Sequence, residues 1–358
     1  MNHLYEGDNL DVMTRLLPVY TGKVKVVYTD PPYNTGNKYR FGDDIKNWAS
    51  FMRPRLELVH QFLSPDGAIF ISIDDSELYT LGNLLDSIFG IKNRVANIIW
   101  QKKYGVQNDA RYFSKSHEYI LCYAKDISKF KIKKLARTAA MDARYKNPDE
   151  DRRGPWKVSD FSVRTASARY VYEIELPSGR RVSPPYSRSW MTSKERFLEM
   201  VADNRIWFGV QGNAKPSKKI FLSEVDGLVP STLWKYDEVG HTDSAKRELK
   251  DILGDADFEA AKPVGLIKRC IELVAGEDDL VMDIFVGTGT TGHAVLELNK
   301  KSGNREFILI ESGNGDDDYC RTLTAERLRR VISGDWSAGA REGFGGEFEL
   351  HLRMLSDI

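Results

Sequence analysis

One segment constrains the fold of this chain more than any other: a strand pattern that leads through a glycine turn into a helix pattern. Residues 280–284 are apolar except for one aspartate, Gly287 and Gly289 predict a turn, and 291–299 has helical spacing. A further strand pattern follows at 307–311. Because strand, helix and strand in this order build parallel sheets, the segment predicts an α/β fold.

The same alternation occurs near the N-terminus. Residues 23–29 and 68–73 have the pattern of buried strands, and helical spacing occurs at 48–63 and 76–89. Two α/β segments thus flank the middle of the chain. They imply one mostly parallel sheet to which both ends of the chain contribute.

The middle of the chain differs in pattern and charge. Alternating β-branched and aromatic residues, for example at 170–174, predict short antiparallel strands. Residues 101–220 carry 26 basic and 13 acidic side chains, although the formal net charge of the whole chain is zero. This surplus of positive charge predicts either an ordinary solvated surface or a surface that neutralises phosphates.

Several classes of protein are not expected. No stretch approaches the roughly 18 apolar residues of a membrane helix, and Asp8 and Asp11 stand where a signal peptide needs a basic start. We therefore expect a cytoplasmic protein with no membrane partner. Cys122, Cys270 and Cys320 lie far apart without a C-x-x-C pair, which predicts neither disulfides nor a metal site.

The glycine turn has the features of a nucleoside-cofactor loop, in which glycines let the backbone approach the ligand. Glu311 ends the next strand 22 residues after Gly289, about the spacing at which an acid meets ribose hydroxyls. The third glycine of a dinucleotide loop is missing, and so is the lysine of an ATP-binding loop. The loop fits S-adenosyl-methionine (SAM) better than NAD or ATP. The alternative is an ordinary turn between a strand and a helix.

Asp30-Pro31-Pro32-Tyr33 directly follows the first strand, where open α/β sheets place their sites. Two prolines remove two N–H donors, which leaves carbonyl oxygens beside one carboxylate and one aromatic ring. The Asp30 carboxylate and the Pro31 carbonyl can each accept one hydrogen of an amine, and Tyr33 offers a face for stacking. The motif indicates a site for a flat molecule that bears an NH₂ group. The alternative is a simple turn at a strand end.

These motifs resemble those of the beta class of DNA amino-methyltransferases. The Asp-Pro-Pro-Tyr segment is similar to the target-amine motif of that class, and Asp283–Gly289 is similar to its D-x-F-x-G-x-G SAM motif. Lys262-Pro263 is similar to the cofactor-contacting segment before the SAM motif. Further segments resemble the Mod subunits of type III restriction–modification systems, and with the motifs they cover most of residues 3–330. They are 6–10, 30–36, 69–75, 203–209 and 238–241.

The resemblance implies a circularly permuted, Rossmann-like α/β fold of the SAM-dependent methyltransferase type. Its sheet would be mixed and mostly parallel with seven strands, and a β-rich target-recognition domain would be inserted. The expected regions are a catalytic half at 1–125, a target-recognition and DNA-binding insertion at 126–255, a SAM-binding half at 256–330 and a C-terminal tail at 331–358.

The implied activity is site-specific methylation of the N6 amine of an adenine flipped out of duplex DNA. Asp30, Pro31, Pro32 and Tyr33 would hold the base and its amine. Methylation of the cytosine N4 amine is the nearest rival, although similar cytosine enzymes more often carry Ser where Asp30 stands. Methylation at carbon 5 of cytosine needs a cysteine that commonly follows a proline, and no cysteine here does.

Two further functions are compared with this activity. RNA and protein methyltransferases with a related Pro-Pro-Tyr motif usually place the SAM motif before the target motif and lack a large basic insertion. A DNA-binding module that has lost catalysis would not need Asp30, Tyr33, Gly287 and Gly289 to be intact. Both functions are therefore less expected than DNA methylation.

The resemblance also implies the residues of the SAM site. Asp283 is expected at the methionine end of SAM, Asp8 at its adenine and Lys262 at its carboxylate, with surface charges as the alternative for the last two. His117-Glu118 lies in a segment that borders the target pocket of similar enzymes, although a structural histidine is equally expected. The predicted cofactor-binding set is Asp283, Phe285, Gly287, Gly289, Glu311, Lys262, Pro263 and Asp8.

The expected partner is double-stranded DNA. Relatives of this class are often dimers, so a homodimer is a further expectation. Mod subunits are usually considerably longer than this chain, which argues against a restriction subunit as partner and favours a solitary or phage-type enzyme.

Overall fold

The computed structural model describes residues 1–35, 47–108, 110–165, 167–254, 261–312 and 318–352. Gly36, which ends one of the segments with family resemblance, and the predicted boundary at 255/256 lie outside the described residues. The chain forms two compact units. The larger contains Met1–Lys133 and Pro230–Ile358, and the smaller contains Lys134–Val229.

The described residues form sixteen strands. In chain order they are β1 (Asn2–Glu6), β2 (Val24–Thr29), β3 (Leu63–Ile73), β4 (Arg94–Gln101), β5 (His117–Ala124), β6 (Trp156–Asp160), β7 (Ser162–Val163), β8 (Ile174–Glu175), β9 (Arg181–Val182), β10 (Ser189–Trp190), β11 (Ile206–Trp207), β12 (Ser217–Phe221), β13 (Leu233–Trp234), β14 (Leu280–Asp283), β15 (Glu306–Glu311) and β16 (Phe348–His351).

The same parts of the chain form ten α-helices. They are α1 (Asn9–Tyr20), α2 (Trp48–Phe62), α3 (Leu78–Phe89), α4 (Ala139–Asp142), α5 (Lys194–Ala202), α6 (Tyr236–Val239), α7 (Thr242–Leu253), α8 (Val264–Val274), α9 (Thr290–Lys301) and α10 (Glu326–Ser333). A π-helical turn, Cys320–Ala325, leads into α10. No helix within the described ranges is long and apolar enough to cross a membrane.

The larger unit is built on a nine-stranded sheet with the order β13-β4-β5-β3-β2-β14-β15-β1-β16. Strand β5 runs antiparallel to β3 and β4, and all other neighbouring pairs are parallel. The seven inner strands form the mixed, mostly parallel sheet that the family resemblance predicts. The structure adds one short strand at each edge, β13 and β16.

The sheet interleaves the two ends of the chain. Strands β14 and β15, from the C-terminal part, lie between β2 and β1, from the N-terminal part. Central strands are covered by helices on both faces, so nearly every side chain in them is buried. In β15 the four residues 307–310 have no exposed surface. Helix α2 is amphipathic, and its Met52, Leu56, Val59 and Phe62 are all fully buried.

The smaller unit is rich in short antiparallel strands. Strand β12 pairs with β6 and β11, β7 pairs with β10, and β8 pairs with β9. Its core is aromatic, with Phe161, Trp190 and Phe197 buried together. The unit lies inside the range 126–255 that the sequence assigns to an insertion.

Two helical glycines give a matched test of packing around the sheet. A Cβ on Gly265 in α8 would lie 2.9 Å from the backbone oxygen of Val239, whereas a Cβ on Gly82 in α3 would meet nothing within 4 Å. We predict that Gly265→Ala lowers the free energy of unfolding by about 1–3 kcal/mol through overpacking. Gly82→Ala should raise it by about 0.5–1 kcal/mol, because alanine loses less backbone entropy in a helix. Urea unfolding of both variants measures the two values, and equal effects would contradict the packing.

Candidate active site

Two neighbouring parallel strands of the sheet end beside each other. Strand β2 ends at Thr29 and β14 ends at Asp283, and Val27 pairs with Met282 between them. Both chain segments therefore leave the sheet at the same edge, where open α/β sheets place their sites. This pairing brings Asp30 and the glycine turn together, although one motif lies near the start of the chain and the other near its end.

Asp30 is held in a polar group that we call the Asp30 cluster: Asp30, Tyr33, Lys102, Glu118 and Lys262. The Lys262 ammonium donates hydrogen bonds to both carboxylate oxygens of Asp30, at 2.8 and 2.7 Å. The Tyr33 hydroxyl lies 2.8 Å from Asp30 Oδ1 and 3.1 Å from Glu118 Oε2. Lys102 donates to the other oxygen of Glu118 at 2.7 Å. The cluster thus places two carboxylates opposite two ammonium groups.

In the Asp30 cluster, neighbouring opposite charges shift the pKa values of Glu118 and Lys262 toward their charged forms. Burial opposes the charge of Glu118, but Lys262 and Lys102 lower the pKa of its carboxyl below the ordinary value. Burial likewise opposes the charge of Lys262, yet the carboxylates of Asp30 and Glu118 raise its pKa. Burial raises the pKa of Asp30. Lys262 and Glu118 are therefore charged at neutral pH, and Asp30 presents its carboxyl group to a nitrogen that donates hydrogens.

The backbone after Asp30 is fixed by neighbouring side chains. The Trp48 indole donates to the Pro32 carbonyl at 2.7 Å. Asn34 has a left-handed φ of 58°, which asparagine tolerates better than most residues, and its amide donates to Glu77 at 2.7 Å. These bonds hold Tyr33 in place between two anchored residues.

The glycine turn is held by two buried carboxyl groups. Asp283 accepts the Phe285 N–H at 3.1 Å and the Thr291 hydroxyl at 2.5 Å. Glu311 accepts the Gly287 N–H at 2.7 Å and the Ser312 N–H at 3.0 Å. Each carboxyl group therefore ties the backbone of the turn to the end of a buried strand.

The two carboxyl groups at the turn, Asp283 and Glu311, are weaker acids than usual, and the glycines of the turn allow close approach to its backbone. Burial raises the pKa of Asp283 to about 7 and that of Glu311 to about 8. Gly287 and Gly289 have left-handed φ values of 54° and 82°, which favour glycine. A Cβ on Gly289 would also lie 3.2 Å from the Thr324 carbonyl oxygen.

The glycine turn is also contacted by a residue of α10, which pairs with a residue of α7, and neither belongs to a sequence motif. The fully buried guanidinium of Arg327 in α10 donates to the hydroxyls of Thr288 at 2.9 Å and Thr290 at 2.8 Å. It also lies 3.1 Å from His293 Nδ1 and 3.4 Å from Glu248 Oε2. Neither Arg327 nor Glu248 belongs to a local pattern, so only the three-dimensional contact identifies them.

Asp8 is linked to the same region through two side chains. It caps α1 by accepting the Leu10 N–H at 2.9 Å, and it pairs with Arg55 at 3.0 Å. Arg55 also donates to Asn9, whose amide donates to the Ile284 carbonyl at 2.7 Å. Asp8 thus has a structural task, while about half of its side chain stays exposed (52%).

The structure divides the predicted site residues between two places. Asp30, Pro31, Pro32 and Tyr33 lie at the end of β2, and Lys262 joins them there, although the sequence predicts that it binds the cofactor. Pro263, next to Lys262, caps α8. The second place is the turn after β14, with Asp283, Phe285, Gly287, Gly289 and Glu311, to which Asp8 is linked. From sequence, Glu118 belongs only to a bordering segment, whereas in the structure it is a direct partner of Lys102 and Tyr33.

Fold and site together define an α/β protein in which a glycine turn and a buried carboxyl group follow two neighbouring parallel strands. A solved structure shares the fold. The PvuII DNA methyltransferase, which is named as cytosine-N4-specific, matches with a TM-score of 0.50 at 14% identity, over 92% of this chain and 86% of that one.

A family model described as DNA methylase matches residues 24–323, and the chain belongs to this family. It is 33% identical to the Mod subunit of the type III restriction-modification enzyme StyLTI from Salmonella typhimurium, over 86% of this chain and 52% of that protein. It is 32% identical to the EcoPI Mod subunit of Escherichia phage P1, over 100% of this chain and 62% of that protein. The chain therefore spans less than two thirds of either subunit.

A third relative is matched over more of its length. The type II methyltransferase M.KpnI of Klebsiella pneumoniae is 31% identical over 87% of this chain and 80% of that protein. The resemblance to DNA amino-methyltransferases and Mod subunits is thus confirmed.

The support of the glycine turn can be tested with two arginines of α10. We predict that Arg327→Ala lowers the free energy of unfolding by about 3–5 kcal/mol, because it removes one partner of a buried polar network. Arg329 lies on the same helix with a side chain that is 53% exposed, so Arg329→Ala should change the value by less than about 0.5 kcal/mol. Urea unfolding distinguishes the two. Similar small losses in both variants would show that Arg327 does not support the turn.

Proposed function

We propose that this chain is a site-specific DNA methyltransferase that transfers the methyl group of SAM to the N6 amine of an adenine flipped out of duplex DNA. The observation that carries the proposal is the adjacency of β2 and β14, which sets the carboxyl group of Asp30 beside the glycine turn. Membership in the DNA methylase family supports the same reaction.

The glycine turn fits SAM as its cofactor. Gly287 and Gly289 leave room for close approach of a ligand to the backbone. Glu311 lies at the turn and can accept hydrogen bonds from ribose hydroxyls, while Phe285 is only partly buried. Bound SAM would supply a methyl group on a good leaving group, so positioning of the two reactants accounts for much of the expected rate.

The Asp30 cluster fits a base that bears an amine. The carboxyl group of Asp30 already accepts two hydrogen bonds from the nitrogen of Lys262. An adenine amine in that position would donate to Asp30 and to the Pro31 carbonyl, which draws the lone pair of the nitrogen out of conjugation. After the new N–C bond forms, the nitrogen loses one proton, and Asp30, whose pKa is raised by burial, is placed to receive it. Stacking on Tyr33 would add about 1–3 kcal/mol.

The cysteines support an amine target over carbon 5 of cytosine. Cys122, Cys270 and Cys320 are all buried. Burial raises the pKa of each thiol above its ordinary value, which disfavours the thiolate that a covalent mechanism requires.

Duplex DNA is the proposed partner, and one exposed segment supports it. The connection between β4 and β5 carries Tyr104, Tyr112 and Phe113, which are 71%, 80% and 92% exposed. Lys103 and Arg111 lie in the same segment. Exposed aromatic rings among basic side chains suit phosphate contact and insertion between bases. The segment begins next to Lys102 of the Asp30 cluster.

The insertion is proposed to read the DNA sequence. Residues 134–229 contain 18 basic and 12 acidic side chains. Part of this charge is used inside the unit, since Arg153 pairs with Asp151 and Arg205 with Glu224. The net positive charge that is left favours contact with phosphates.

The cellular setting of the enzyme follows from its substrate and its relatives. A DNA substrate implies the cytoplasm, and the names of the similar proteins support a role in a restriction–modification system. The homodimer stays a prediction, and so does the expectation against a restriction subunit as partner.

The first test is single-molecule sequencing of genomic DNA from a methylation-deficient host that expresses the chain. We expect modified adenine at one short sequence, and no modification with Asp30→Asn. In the purified variant, kcat should fall by about 100-fold or more while SAM still binds. Asp278→Asn is the matched control, because Asp278 is exposed at the opposite end of β14. Modified cytosine would overturn the base assignment, and no modification despite SAM binding would overturn DNA as the substrate.

The second test uses the acidity of Glu311. Because its pKa is about 8, the carboxyl group is mostly protonated at pH 7, whereas ribose hydroxyls donate best to the ionised form. SAM affinity should therefore rise with pH by up to about tenfold per unit and level off above pH 8. Calorimetry of Glu311→Gln should show a weaker dependence between pH 7 and 9. Affinity that falls with rising pH in the unaltered protein would contradict the assignment of Glu311.

A further inference from the structure

Two histidines and a glutamate meet at the edge of the sheet opposite to β13. Strand β16 pairs in parallel with β1, with Glu349 opposite His3 and His351 opposite Tyr5. Alternate residues of a strand share one face, and opposite residues of paired strands do as well. His3, Tyr5, Glu349 and His351 therefore lie on the same face.

Three possible ligand atoms of this group lie at the corners of a small triangle. His3 Nδ1 is 3.0 Å from His351 Nε2 and 3.4 Å from Glu349 Oε2, and His351 Nε2 is 3.5 Å from that oxygen. Ligands about 2.0–2.1 Å from a tetrahedral zinc ion are about 3.3–3.4 Å apart. The three separations match those of neighbouring corners around one such ion.

Other contacts of the group favour metal binding over a simple hydrogen bond. A bond between the two imidazoles accounts for the shortest separation only, whereas the carboxylate lies close to both nitrogens. The His351 ring stacks on Tyr5 at 4.2 Å with an angle of 11° between the planes, which fixes its orientation. Within the described ranges this is the one group of three His, Cys, Asp or Glu side chains whose ligand atoms converge in this way.

We propose that His3, Glu349 and His351 bind a zinc ion that fastens β16 to the edge of the sheet. Two imidazoles and one carboxylate suit Zn²⁺, whereas Mg²⁺ prefers oxygen ligands alone. The side chain of Glu349 is 57% exposed, so an ion can enter from solvent, and a water molecule would complete its coordination.

The site has a structural task and is independent of the proposed methyl transfer. Strand β16 has four residues and pairs with β1 alone, at the edge of the sheet. A short edge strand is held by few backbone hydrogen bonds. An ion bound to one residue of β1 and two of β16 would join the beginning of the chain to its C-terminal part. The sequence analysis predicts no metal site because of the spacing of the cysteines. None of the three ligands proposed here is a cysteine.

The test is calorimetric titration of the full chain, without a histidine tag, with zinc chloride and separately with magnesium chloride. We expect one Zn²⁺ ion per chain and no comparable Mg²⁺ binding. Glu349→Gln keeps the shape of the side chain and should weaken Zn²⁺ binding at least tenfold, as should His351→Ala. Glu347→Gln is the matched control, since Glu347 is exposed and lies outside the triangle, and it should bind Zn²⁺ as the unaltered chain does.

Hydrogen exchange of the backbone gives a second measurement that does not depend on affinity. Zinc should slow exchange at 348–351 in the unaltered chain and in Glu347→Gln, and it should leave exchange unchanged in Glu349→Gln. Equal Zn²⁺ affinity in all variants would overturn the site. Equal binding of Zn²⁺ and Mg²⁺, or no slowing of exchange at β16, would also overturn it.

Discussion

The parallel pairing of β2 with β14 is the constraint on which the candidate site depends. Each strand carries its functional group just beyond its last residue, so the register between Val27 and Met282 decides the distance between Asp30 and the glycine turn. A slip of one residue would turn the side chains of either strand to the opposite face. Because both strands are buried on both faces, such a slip would also disrupt the core. The packing that stabilises the sheet therefore also fixes the geometry of the site.

Around this pairing, the polar groups of the site are held by partners from distant segments. The Asp30 cluster draws on the segments that follow β2 and β4, on β5, and on Lys262, two residues before α8, and the glycine turn is supported by α10. Buried charges without partners would cost several kcal/mol each, so these contacts restrict how each element can be placed. The same contacts hold the carboxyl groups of Asp30 and Glu311 at a defined position.

Much of the fold and part of the site could be predicted from sequence, because they depend on local patterns. Buried strands followed by helices predict the sheet, and Asp30 and Gly287 are found by short motifs with a physical reason. The short strands β13 and β16 carry too few residues for a periodic pattern. They form where the edge of the sheet offers a strand to pair with. Arg327 and the pairing of Lys262 with Asp30 could not be predicted either. Each is a contact between segments whose distance in space is set by the whole fold.

The position of Lys262 links the two halves of the proposed reaction. Its ammonium holds both oxygens of Asp30, and an incoming amine needs one of those oxygens. The family resemblance implies the carboxylate of SAM or a surface position for Lys262, whereas in the structure its ammonium pairs with Asp30 and lies 3.6 Å from Glu118. The ion pair compensates the charge of a buried carboxylate, which explains why a residue so close to the proposed reaction is a cation.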